Sequence, residues 1–379
     1  MTQFRRYIPV IAVIAAVVVL QVVLSATHAT YYMTQITMSA YYALVVIGLC
    51  LLMGYAGQVS LGHAGFFAIG GYTTAVLTTL NLLPYRDTPL VKLCSSLGLI
   101  FQRQDIYGAD ILSFSPWVAF VAALLLAVII AFLIGLPVIR LKGHYLAMAT
   151  LGFGLIIYRI VLGGSIFGQA DGISNIPPFM ILDGLQVNGR VPYRVMNYYI
   201  AWSVVAAAMV LAINLVGSRI GRALRSIHEN EEAAHSLGVD TYRYKLFIFV
   251  LSALFAAVGG VLLTHYNGSI GPSEVTVMKS VRYLVIVAVG GMANLWGALF
   301  MGIILNFLSL RGVFGSYDDA VFAIILIVIM LFAPQGLLRM PRLPALWHGL
   351  QAREDTAKPV PSEVEGMAVP QKQSGGSNG

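Results

Sequence analysis

Charge is scarce in these 379 residues: Asp, Glu, Lys and Arg together make up 10%, against about 25% in soluble proteins. Hydrophobic residues reach 58%, and the mean hydropathy is +0.82. Such values exclude an ordinary soluble enzyme, a disordered chain and a nucleic-acid-binding domain, despite a net charge of +7. Nucleic acid is therefore not an expected partner, whereas membrane lipid is. Cysteine is nearly absent. Cys50 lies in an apolar run and Cys94 in a loop; two residues cannot build a disulfide framework, so both read as unpaired thiols. No G-x-x-x-x-G-K-[ST] occurs, so the chain has no P-loop of its own. H-E-x-x-H and C-x-x-C are missing as well, and the seven His are scattered. No catalytic residue, metal or cofactor is expected. His63 and His144, near span ends, read as hydrogen-bonded packing residues. The sixteen acidic residues fall in loops, in the tail or at span edges, with Glu274 at one edge and Asp318 and Asp319 at another. Ion-coupled carriers often hold a carboxylate inside the membrane. The lack of a mid-span acid argues against that mechanism.

Apolar runs, by contrast, are abundant. A spanning helix needs about 20 mostly apolar residues. Spans read at 8–27, 36–53, 59–83, 114–139, 144–163, 198–217, 246–266, 274–290, 294–310 and 319–333. The fold class is all-α: a polytopic membrane protein of about ten transmembrane helices, since runs of this length fit helices rather than barrel strands. Around Gly290–Asn294, one long kinked helix fits as well as two spans. With the N-terminus inside, inner segments carry 14 Lys and Arg and outer segments 7, the bias expected of cytoplasmic loops. Both termini are then cytoplasmic. Arg5-Arg6, the first apolar run and Ala26-Thr27-His28-Ala29 also fit a cleavable signal peptide, but the run is longer than a usual signal core. Residues 1–35 read as an N-terminal span, 36–338 as the membrane core and 339–379 as a disordered cytoplasmic tail.

Two stretches break the apolar pattern with glycine. In Gly54–Tyr72 the glycines are Gly54, Gly57, Gly62, Gly65, Gly70 and Gly71, with Gln58, Ser60 and His63 between them. The second is Gly290-Gly291-Met292-Ala293-Asn294-Leu295-Trp296-Gly297. Each glycine costs up to about 1 kcal/mol in a helix interior, so such density predicts broken helices or very close helix packing. Broken helices can line a transporter's path, which makes Gly57, Gln58, Ser60, Gly62, His63, Gly65, Gly290, Gly291 and Asn294 the candidate path residues. Tight packing without ligand contact is an equal alternative.

The largest inner loop, Ser218–Lys245, predicts a short capped helix. Asn230 is a good N-cap, Glu231 and Glu232 suit the positive end of the helix dipole, and Gly238 suits a left-handed C-terminal cap. A helix of two turns is marginal alone, so it must be held by packing. Glu232-Ala233-Ala234-x-x-x-Gly238 resembles the E-A-A-x-x-x-G loop of ABC importer permeases. Residues 36–338 resemble the branched-chain amino acid ABC permease family of the LivM type, through Gly54–Tyr72, Leu141–Gly152, Ser218–Gly260, Gly290–Gly297 and Phe332–Leu337. One departure is Ile166–Ile173, which keeps Gly172-Ile173 but lacks the family's frequent T-G-G.

The resemblance implies an inner-membrane permease subunit without an ATPase site of its own. Its implied partners are ABC ATPase subunits, a second and homologous permease, and an extracytoplasmic solute-binding protein. Arg222, Arg225, Glu232, Ala233, Ala234 and Gly238 would form the ATPase-coupling element, with small alanines allowing close approach. The outer loops Tyr85–Ser113 and Gly164–Asn197 would receive the binding protein. The expected cargo is a small neutral or zwitterionic solute, branched-chain amino acids first and urea or a short amide second. A secondary transporter is the further alternative.

Overall fold

The computed structural model describes residues 7–332 except 97, 105–107, 109, 142 and 183. Arg5, Arg6, Asp105, Lys142, Asp183, the motif beyond Phe332 and the tail lie outside the described residues.

Every predicted span coincides with a helix. These are α1 (Ile8–Ala26), α2 (Tyr32–Cys50), α3 (His63–Thr79), α5 (Pro116–Val138), α6 (His144–Gly163), α7 (Arg194–Gly217), α10 (Thr241–Asn267), α11 (Val277–Gly290), α12 (Leu295–Leu310) and α13 (Asp318–Phe332). Between them lie the short helices α4 (Pro89–Ser96), α8 (Arg219–Glu229) and α9 (Glu231–Ser236). The chain is all-α and polytopic. Among the described residues, six helices are long and apolar enough to cross a bilayer. The other four predicted spans have 17, 14, 16 and 15 residues. At about 1.5 Å per residue, 14 residues reach only about 21 Å of a hydrocarbon core roughly 30 Å thick. Helix length alone therefore does not establish ten crossings.

Burial orders the helices. In the most apolar window of Tyr32–Tyr55, 94% of residues are buried; in α1 the share is 11%. The run from α2 is central, packed by α10, α12 and α7, while α3 lies between α10 and α5. Helix α1 is peripheral and exposes Ile11, Ile14, Val18 and Val22, an apolar surface that lipid would cover. Helix α5 is two-faced for the same reason. Ala119, Ala123, Ala127, Ala131 and Gly135 recur every four residues and are buried, whereas Val121, Leu125, Ile129 and Leu133 are exposed. Small residues let helix backbones approach where lipid gives no hydrophobic drive to association.

Two antiparallel hairpins fill the loops expected outside. In the first, β1 (Ile100–Gln104) pairs with β2 (Asp110–Phe114). In the second, β3 (Phe179–Leu182) pairs with β4 (Leu185–Val187). Neither was foreseen, because strands of three to five residues carry too little alternation to register in sequence.

Candidate functional site

The Ser218–Lys245 segment folds as two capped helices. Ser218 Oγ accepts from the Ile220 and Gly221 amides at 3.1 and 3.4 Å and starts α8. On α8, Gly221, Leu224 and Ile227 are buried, and Arg222 and Arg225 are exposed. Arg225 donates to the carbonyls of Gly221 and Val216 at 3.3 and 3.1 Å, and so satisfies a carbonyl at the C-terminus of α7. Asn230 caps α9 as expected: its Oδ1 accepts from the Ala233 amide at 3.0 Å. Gly238 sits at φ +84°. Its amide donates to the His235 carbonyl at 2.9 Å, and the Val239 amide to the Ala234 carbonyl at 3.1 Å, the paired bonds of a Schellman cap. Lys245 Nζ lies 2.5 Å from the Glu231 carboxylate and ties α9 to α10.

The two alanines part company. Ala233 is exposed, but Ala234 is 2% exposed, buried within its own chain. The close approach expected at both positions is therefore open at Ala233 only, since consecutive helical residues point about 100° apart. Glu232 is exposed. Leu237, four residues after Ala233 and on the same face, is 84% exposed. Sequence reasoning missed it, although the i, i+4 spacing was available as a signal.

The two glycine-rich stretches meet. A π-helical turn, Leu51–Tyr55, ends the run from α2, and a non-helical segment leads to α3 at His63. The helix is thus broken between Tyr55 and His63. A Cβ on Gly54 would stand 1.6 Å from the Met292 carbonyl oxygen, and Tyr55 Oη donates to the Ala293 carbonyl at 3.0 Å. Helices α11 and α12 are separate, joined by a tight turn in which Gly291 has φ +94°. The kinked-helix alternative is excluded. Asn294 caps α12 through the Gly297 amide at 3.1 Å. A Cβ on Gly290 would strike Ala298 at 2.6 Å, one on Gly62 the Thr150 carbonyl at 2.7 Å, and one on Gly65 Phe153 at 3.1 Å. Close packing accounts for these glycines. Gly57, at φ +67°, faces the ring of His228 on α8.

The polar members of the path set are buried. His63 Nδ1 lies 3.1 Å from Ser60 Oγ and Nε2 lies 3.0 Å from Ser252 Oγ, the packing role expected of it. Gln58 is 3% exposed, and its Oε1 has no hydrogen-bond partner. The acidic residues bring a correction. Glu274 stands at the edge of a helix, but that helix starts deep in the bundle. Its carboxylate accepts from Tyr42 Oη at 2.9 and 3.0 Å, and Tyr42 lies near the middle of the 24-residue run Tyr32–Tyr55. Lys279 Nζ pairs with Glu274 at 3.2 Å. Arg282 likewise pairs with Asp318 and Asp319, and Ser309 donates to Asp318 at 2.7 Å.

Comparison with known proteins shows the family. The family profile described as branched-chain amino acid transport system / permease component matches residues 31–333. The high-affinity branched-chain amino acid transport system permease protein LivM of Salmonella typhimurium is 31% identical over 342 residues, covering 85% of this chain and 73% of the relative. LivM of Escherichia coli is 30% identical over 329 residues, covering 81% and 69%. The permease protein LivH of Escherichia coli is 26% identical, covering 81% and 94%. No solved structure matches. The chain belongs to the permease component family of branched-chain amino acid transport systems.

Proposed function

We propose that this chain is the membrane subunit of an ABC importer for branched-chain amino acids, with ATP hydrolysed in separate subunits. It crosses the inner (plasma) membrane about ten times with both termini cytoplasmic, pairs with a second permease of the same family, and receives solute from an extracytoplasmic binding protein at the β1–β2 and β3–β4 loops. The observation that carries the reading is the doubly capped α9, which presents Ala233 and Leu237 outward on one face. An isolated six-residue helix would not hold. Its caps and the Glu231–Lys245 pair fix it as a rigid knob, suited to a groove on an ATPase.

The physical link to the path runs through α8. His228 on α8 packs on Gly57, at the break between α2 and α3. Motor closure that displaced α9 would move α8 against this break and bias inward against outward opening. The chain makes and breaks no substrate bond. Gln58, Ser60 and His63 are the polar path candidates, and Arg222 steers the motor by charge. Cysteine placed at position 233 should cross-link to co-expressed ATPase subunits and not to the binding protein. Cross-linking to the binding protein alone would overturn the assignment of this face.

A further inference from the structure

Beside the elements already assigned lies a buried ion pair with an unused hydroxyl nearby. Glu274 and Lys279 keep side-chain exposures of only 19% and 20%. Tyr42 joins them: its hydroxyl donates to Glu274, lies 3.4 Å from Lys279 Nζ, and its ring lies 4.8 Å beneath that ammonium. Tyr283 packs its ring against Tyr42 at 6.3 Å and is 0% exposed, yet its hydroxyl has no hydrogen-bond partner. Buried hydroxyls left unpaired are exceptions that ask for a reason. Ser273 and Met278, beside the pair in sequence, are exposed.

We propose that Glu274 and Lys279 form a recognition site for a zwitterionic amino acid, in which Glu274 holds the α-ammonium, Lys279 holds the α-carboxylate, and the free hydroxyl of Tyr283 adds a further contact. The inference rests on the amino-acid reading above and names the residues that make the choice. A zwitterion carries opposite charges on one carbon, so it can enter the pair and leave neither partner unmatched. A lone cation or anion leaves one buried charge uncompensated, which is strongly unfavourable. Urea offers no charge to either partner and gains nothing from separating them. The paired charges also cancel, so the site presents no net countercharge to a cationic solute. Phe67, stacked on Tyr42 at 5.7 Å, holds that ring under the pair.

The test uses the full complex, with both permeases, the ATPases and the binding protein, in proteoliposomes. The single variants Glu274→Gln and Lys279→Met each strand one charge. The double variant removes both and keeps a near-isosteric interior, so a purely structural pair would be replaced without loss. For the double variant we expect normal assembly and thermal stability with leucine uptake reduced at least tenfold. Leucine uptake near the wild-type rate overturns the site. Should the double variant fail to assemble, the wild-type complex is labelled with a diazirine analogue of leucine: adducts on Tyr42 or on peptide 272–283 support the site, and adducts confined elsewhere overturn it. A wild-type complex that moves no leucine overturns the amino-acid reading and the site with it, an outcome distinct from an unimpaired double variant.

Discussion

Replacing Gly238 isolates what the C-terminal cap of α9 contributes. Gly238 is held at φ +84°, and a Cβ there would meet nothing within 4 Å. Steric collision is therefore absent, and the whole cost is the backbone conformation. A left-handed residue with a Cβ costs about 1–2 kcal/mol, most for a β-branched side chain and least for asparagine, which visits this region readily. Helix α9 has six residues and little stability of its own. A penalty of one to two kcal/mol shifts a two-state equilibrium by a factor of about 5–30. The opening of the Schellman cap should rise by that factor in Gly238→Val, less in Gly238→Ala, and least in Gly238→Asn. Amide hydrogen exchange at residues 234–239 reads this directly, and ATPase co-purification and uptake should fall in the same order. Equal exchange in the valine and glycine proteins, or asparagine as damaging as valine, would refute the reasoning.

Three further outcomes follow from the same geometry. Gly54→Ala forces a methyl group toward the Met292 carbonyl, 1.6 Å from its ideal position; it should destabilise the detergent-solubilised protein by at least the 1–3 kcal/mol of ordinary overpacking, seen as a lowered Tm. Leu237→Ser should leave Tm unchanged, because the side chain is 84% exposed, but weaken ATPase association by up to about 1.5–3 kcal/mol, the worth of burying a leucine; unaltered association would remove Leu237 from the interface. Reporters fused at Gly379 and within 86–103 should fall on opposite sides of the membrane, and finding both on one side would break the topology.

Much of the architecture could be read from residue order because a bilayer imposes crude, one-dimensional demands. Runs such as 116–138 are apolar throughout and appear as helices within two residues of their expected ends. The α9 caps were equally readable, since Asn230 and Gly238 act on neighbours in sequence. Properties set by packing across the bundle were hidden. Ala233 and Ala234 are chemically identical, and only the seating of α9 on its own chain decides which is buried. Glu274 looks like a loop-edge acid because the sequence reports the start of α11, not the depth at which that start lies. The glycines fit a path and tight packing equally in sequence, and only the contacts between Gly54 and Met292, or Gly290 and Ala298, show how closely they pack. The β-hairpins were too short to register.

The central claim is ATP-driven import of a branched-chain amino acid through this chain. Its most direct measurement is radiolabelled leucine accumulation in proteoliposomes holding the two permeases and the ATPases, with binding protein outside and ATP inside. Accumulation should require ATP, the ATPases and the binding protein together, should be competed by valine and isoleucine, and should ignore urea. Leucine entry that persists without the ATPases, or a complex that imports urea and not leucine, would contradict it.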